Sequence, residues 1–303
     1  MASGVPKHTG IPGMNETSAP RPAWILRIAQ FPLTRLFVLG AVLFLLMGIS
    51  NGFIFNRFGD SPWKALGSAA GMAALGLLVY FGFVRGVERR PVSELSLPGA
   101  SVELAIGLLI GAGLYTACVL ILMQLGIYRI NGFNAAYFLV PALSLALSSG
   151  IFEELLYRGV LFRILEESLG SWIALILASL VFGLRHYTNP EGTLQGALFI
   201  TVEAGVLLAA AFMLTRRLWL AMGFHLSWNY VQAGVFSGAV SGTGPRTGLI
   251  DATIEGPLLL TGGSFGLESS LIAFLLCTAA GVTMLLMAIR RGRLVPPPWQ
   301  RGR

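Results

Sequence analysis

Eight ionisable or amide side chains stand within or beside long apolar stretches of this chain: Glu153, Glu154, Arg158, Arg185, His186, Glu203, His225 and Asn229. A charged group near the middle of a membrane helix costs ~2.5–3.5 kcal/mol on insertion scales, so each requires a partner, a cavity or a use. Glu153 and Glu154 are adjacent, hence ~100° apart on a helix and unable to share a face. Arg158 follows Glu154 by four residues, the spacing of a helical ion pair that would satisfy both groups. Glu153 is left without a sequence-local cation. It is the candidate for a carboxylate that faces a cavity and takes a proton from water. His225 and Asn229 are also four apart and present two side chains to one point.

These residue types permit hydrolysis of an amide without a nucleophilic Ser or Cys. Glu153 would activate water, with His186 orienting or assisting it, while His225 and Asn229 stabilise the developing oxyanion. The competing reading is that the same groups only hydrogen-bond helices together. Two Glu and two His also raise the possibility of zinc, but no HExxH occurs and neutral Asn is a poor zinc ligand. The expectation is therefore a site with no metal and no cofactor. Glu203 is an extra carboxylate that pairs with Arg185, holds a water near the site or stays protonated; pairing is the preferred expectation.

The elements that must position these groups are membrane helices. The chain is 55% apolar and only 12% charged, against roughly 25% charged for ordinary soluble domains. Its apolar residues fall in blocks of about 20, the length that crosses a ~30 Å hydrocarbon core. Eight such blocks are read: 36–55, 65–84, 104–128, 135–152, 171–184, 193–215, 218–237 and 269–289. The expected fold is an all-α, polytopic helical bundle of about eight transmembrane helices. Counting inward from cytoplasmic ends near Leu165, Gly170 and Leu218 places Glu153 at ~18 Å, His186 at ~24 Å, His225 at ~10 Å and Asn229 at ~16 Å. Four polar side chains from three spans thus approach one middle layer. Gly107/Gly111 and Ser144/Ser148 are small-xxx-small pairs suited to close helix packing.

Charge orients the bundle, because Lys and Arg concentrate in short cytoplasmic loops. With the N-terminus inside, sixteen basic residues fall on the inner side, and only Arg57, Lys64, Arg129, Arg185 and Arg246 on the outer. Both termini are then cytosolic. The net charge of +7 is explained by topology and anionic headgroups, with no nucleic-acid partner. The first residues lack a continuous apolar run ending in a cleavage site, so no cleaved signal peptide is expected. The reading divides the chain into a cytosolic tail over 1–32, a helical membrane domain over 33–289 and a basic tail over 290–303. Cys118 and Cys277 lack metal or redox spacing and read as small hydrophobes. The long outer loop over 238–268, rich in Gly and Thr, reads as a connector in preference to a flap over a cavity.

Three short patterns carry a family resemblance. Glu153-Glu154-Leu-Leu-Tyr-Arg158 stands as EExxxR, Phe182-Gly-Leu-Arg-His186 as FxxxH, and His225-Leu-Ser-Trp-Asn229 as HxxxN. In this order the chain resembles the CAAX prenyl protease 2 family, known more broadly as the CPBP or ABI family, over a core of about 144–289. The resemblance implies an eight-helix glutamate intramembrane protease. In it Glu153 and His186 activate water, His225 and Asn229 form the oxyanion site, and Glu154 and Arg158 are supporting residues. The expected activity is endopeptidase cleavage near the end of a membrane-associated protein or peptide, in a multi-pass protein of a bacterial plasma membrane. A non-catalytic immunity or scaffold protein of the same fold is one alternative, and a proton-coupled transporter another.

Overall fold

The computed structural model describes residues 24–301. The tail read over 1–32 therefore lies outside the described residues up to position 23, as does the end of the basic tail at 302 and 303. Eight apolar helical segments follow one another: α1 Pro32–Arg57, α2 Pro62–Glu88, α3 Ala100–Gln124, α4 Ala136–Leu169, α5 Ser171–Tyr187, α6 Leu194–Thr215, α7 Trp219–Tyr230 and α8 Leu271–Arg290. Six are long and apolar enough to cross a membrane; α5 and α7 are shorter. A π-helical turn, Val231–Val235, prolongs α7. The chain is a multi-pass helical membrane protein, and its segments correspond one for one to the eight apolar blocks.

Local chemistry sets the helix starts. Pro32 and Pro62 occupy the first turns of α1 and α2, where a missing N–H costs nothing. Thr193 caps α6 by accepting from the Gly196 N–H at 3.0 Å, and Ser270 caps α8 by accepting from the Ala273 N–H at 3.2 Å.

The short helix α7 runs through the centre of the bundle, with Leu220–His225 and Ser227–Asn229 all buried. Protein surrounds it, so bilayer thickness does not dictate its length. It lies backbone to backbone against α3. A Cβ added at Gly107 would fall 2.3 Å from the Leu220 carbonyl oxygen, and one at Gly111 2.4 Å from that of Phe224. The Gly107/Gly111 pair is thus the contact face its spacing suggested. Ser148 in α4 is buried against α1, within 3.2 Å of Ser50 Oγ and donating to Asn51 Oδ1 at 3.1 Å.

The two ends of the bundle differ. One end is an ionic layer. Arg163 binds Glu88 at 2.7 Å and Glu167 at 2.8 Å, Arg90 binds Glu94 at 2.6 Å, Arg216 binds Glu166 at 2.5 Å and Arg217 binds Glu103 at 2.5 Å. Burial pushes the Glu94 carboxyl up, but the hydrogen bonds from Arg90 and Tyr80 outweigh it and hold the group below the usual carboxylate value. At the other end a two-stranded antiparallel ribbon, β1 Tyr128–Phe133 with β2 Ile250–Ile254, ties the α3–α4 connector to the long loop after α7. Helical apolar periodicity carries no signal for this ribbon, because its strands are short and partly exposed.

Candidate active site

The site begins with two neighbouring carboxylates that diverge as helix geometry requires. Glu154 points into the bundle and is fully buried, whereas Glu153 keeps part of its side chain accessible on a cavity wall. Glu154 Oε1 accepts from Arg158 Nη1 at 2.9 Å, the anticipated i,i+4 pair, and also faces His225 Nδ1 at 2.8 Å. Arg158 itself is buried. Its Nη2 donates to the carbonyls of Ala204 at 3.0 Å and Gly205 at 3.3 Å, and its guanidinium lies 4.6 Å from the centre of the Phe182 ring. Two π-helical turns make this possible. Leu155–Phe162 in α4 carries the arginine, and Thr201–Val206 in α6 turns carbonyls outward to receive it. A buried cation in a membrane protein is thereby supplied with a carboxylate, two carbonyls and an aromatic face.

Helices α5 and α7 bring the histidines to Glu153. His186 Nε2 stands 3.9 Å and His225 Nε2 4.0 Å from Glu153 Oε2. The opposite ring nitrogen is tied in each case: His186 Nδ1 to the Phe182 carbonyl at 2.7 Å, and His225 Nδ1 to Glu154. Both partners are acceptors, so each Nδ1 carries the proton. In a neutral ring each Nε2 is then an acceptor, and it donates only as the imidazolium. Phe182 anchors the group by packing against both imidazoles, with ring centres 4.7 Å from His186 and 6.3 Å from His225. Asn229, one turn beyond His225, donates from Nδ2 to Ser149 Oγ at 2.8 Å.

Glu153, His186, His225 and Asn229 share the wall of one cavity of about 430 Å³. The remaining walls come from α1 through Asn51 and Phe55, from α4 through Ser149 and Tyr157, and from the loop after α7 through Ser241, Thr243 and Arg246. That loop is therefore more than the connector it read as. Glu268 pins its start by accepting from the Ser241 N–H at 2.5 Å, the Ser241 hydroxyl at 2.9 Å and the Trp228 indole at 3.0 Å. Burial holds the Arg246 guanidinium below its usual value.

The expected pairing of Glu203 with Arg185 is overturned. Arg185 is exposed and donates to Thr188 at 2.7 Å and Asn189 at 3.2 Å, whereas Glu203 is buried in α6 with no hydrogen bond to either oxygen among the described residues. A residue in the last turn of α5 turns toward the loop, so the two never meet. Glu203 instead borders a small space of about 20 Å³ behind the site, together with His186, His225 and Glu268. Ser149, Tyr157 and Arg246 are among the wall residues outside the set that sequence singles out. Ser149 and Tyr157 carry a local signal: they stand four residues before and after Glu153 and so share its face.

The three motifs fall within a segment that a family model recognises. Residues 135–231 match the family described as type II CAAX prenyl endopeptidase Rce1-like. This segment is Rce1-like. No curated protein and no solved structure matches the chain. The Rce1-like segment runs from the start of α4 into the turn after α7, and it contains Glu153, Glu154, Arg158, His186, His225 and Asn229. The match agrees with the resemblance drawn from EExxxR, FxxxH and HxxxN. It supports a CAAX-type intramembrane protease fold for that segment.

Proposed function

We propose that the protein is an intramembrane endopeptidase that hydrolyses a peptide bond near the end of a membrane-associated protein or peptide, with water activated by Glu153. The observation that carries this reading is the convergence of His186 Nε2 and His225 Nε2 on a single oxygen of Glu153, at 3.9 and 4.0 Å, on the wall of a cavity large enough for a peptide segment. Separations of this size suit a bridging water better than a direct hydrogen bond. Glu153 takes a proton from that water as its oxygen attacks the carbonyl carbon, and His186 Nε2 helps to orient it. The carbonyl oxygen gains negative charge and is met by an Asn229 N–H and by Nε2–H of His225 in its imidazolium form. Glu153 then returns the proton to the leaving amine. Arg158 and Glu154 act as positioning residues, since Glu154 holds the His225 ring from its far side.

The test compares the N- and C-terminal peptides of membrane proteins from cells expressing the wild type and Glu153→Gln. Termini present with the wild type should disappear with the variant, and likewise with His186→Ala and His225→Ala. Identical termini at verified, equal expression would leave a non-catalytic membrane protein of the same fold as the better reading.

A further inference from the structure

The distribution of charge and the walls of the cavity together give the site a side. The ionic end gathers Arg27 and Arg35 around the start of α1, Arg85, Arg89 and Arg90 around the end of α2, and Arg163 in α4. Arg216 and Arg217 between α6 and α7, and Arg290, Arg291, Arg293 and Arg301 after α8, complete it. These twelve arginines stand against five acidic residues, Glu88, Glu94, Glu103, Glu166 and Glu167. At the opposite end Arg57, Lys64, Arg129, Arg185 and Arg246 are matched in number by Asp60, Glu191, Asp251, Glu255 and Glu268. Basic residues in short loops are retained on the cytoplasmic side. The connectors at the ionic end are short, Arg89 to Gly99 between α2 and α3 and Arg216 to Leu218 between α6 and α7, so the ionic end is the cytoplasmic one.

Every wall of the cavity that lies beyond a helix end belongs to the other face. Phe55 near the end of α1, Asn189 and Pro190 after α5, and Thr243 and Arg246 after α7 line it, and none of the arginines of the ionic end does. Phe55, Pro190 and Thr243 are exposed, which puts the mouth there. Below Glu153 the way toward the cytoplasmic end is filled by the buried Glu154–Arg158 pair and then by Tyr80, which donates to Glu94 at 2.5 Å and lies 3.0 Å from the Gly159 carbonyl oxygen.

We propose that the cavity is entered from the non-cytoplasmic face. Resting on the peptidase reading above, its substrate is then a peptide segment presented in or just outside the outer leaflet, and a cytosolic lipid-modified C-terminus is excluded. The mouth suits a segment carrying an anionic group, because neither Arg185 nor Arg246 forms an ion pair among the described residues.

Sidedness can be measured without knowing the substrate. In a Cys118→Ala/Cys277→Ala background, single cysteines are placed at the mouth by Thr243→Cys and at the ionic end by Ser93→Cys, both exposed positions. Spheroplasts are treated with a charged, membrane-impermeant maleimide before and after permeabilisation. Thr243→Cys should label equally in both conditions, whereas Ser93→Cys should label only after permeabilisation. Thr188→Cys, beside the mouth after α5, is a second reporter if Thr243→Cys does not accumulate. The reverse pattern overturns the proposal, and so does labelling of both sites in sealed spheroplasts. This readout is independent of proteolysis, so sidedness and peptidase activity can fail separately.

Discussion

Removing the Arg158 side chain should unfold the protein more readily than any change at Glu153. The guanidinium is buried, donates to Glu154 Oε1 at 2.9 Å and to the Ala204 and Gly205 carbonyls at 3.0 and 3.3 Å, and covers the Phe182 ring. Arg158→Ala leaves one buried carboxylate and two carbonyls short of a donor, a loss of roughly 3–5 kcal/mol when one partner of a buried pair is deleted. At roughly 2–4 °C per kcal/mol, the midpoint of thermal unfolding in detergent should fall by about 6–20 °C. Arg158→Lys keeps the charge but cannot reach the carboxylate and both carbonyls with one planar fork, so it should fall between. The double variant Glu154→Gln/Arg158→Met removes both charges. It should be less damaging than the sum of the single changes, by roughly 0.5–3 kcal/mol. A midpoint for Arg158→Ala within about 2 °C of the wild type, with additive single changes, would refute the argument that this pair and its carbonyls hold α4 to α6.

The adjacent serines of α4 should separate structure from function. Ser149→Ala removes the acceptor that orients Asn229 and should slow processing by about ten- to a hundredfold with little loss of stability. Ser148→Ala faces α1 and should instead lower stability by about 1 kcal/mol, with processing retained. Glu203→Gln should leave the unfolding midpoint unchanged or raised, because neither oxygen of Glu203 has a partner to lose; thermal scans of this variant beside Glu154→Gln would measure the contrast. The stabilisation from Glu94 has a defined acid limit. Its pKa in the folded protein lies below the ordinary carboxylate value, so its contribution is present above that ordinary value and disappears as pH falls through the lower folded one. The difference in midpoint between the wild type and Glu94→Gln should therefore be full at neutral pH and vanish in strong acid.

The parts of the site legible from sequence were those governed by local helical geometry. The divergence of Glu153 and Glu154, the Glu154–Arg158 pair and the shared face of His225 and Asn229 all follow from a 3.6-residue turn. The eight segments follow from unbroken apolar runs. What escaped depends on contacts between distant segments. The second partner of Glu154 is His225, 71 residues away, and the carbonyls that receive Arg158 are exposed by a π-helical turn that no residue type announces. Opposite sign alone suggests a pair between Arg185 and Glu203, but one points to the loop after α5 and the other is enclosed in α6. The loop over 238–268 read as a connector because its Gly and Thr content carries no periodicity. Its ties to the bundle are contacts between distant residues: Glu268 at its far end, the ribbon with β1, and Asn189 donating to the Ser241 carbonyl at 2.7 Å.

The two imidazoles are fastened by different kinds of anchor. The ring at 186 leans on a main-chain oxygen, which no side-chain substitution abolishes and no change of acidity titrates. The ring at 225 leans on an ionisable group that is itself shared with a guanidinium. Damage elsewhere in the bundle would therefore reach the second histidine and spare the first. Variants that weaken the protein indirectly should misplace the group assigned to the oxyanion before they disturb the one that orients water.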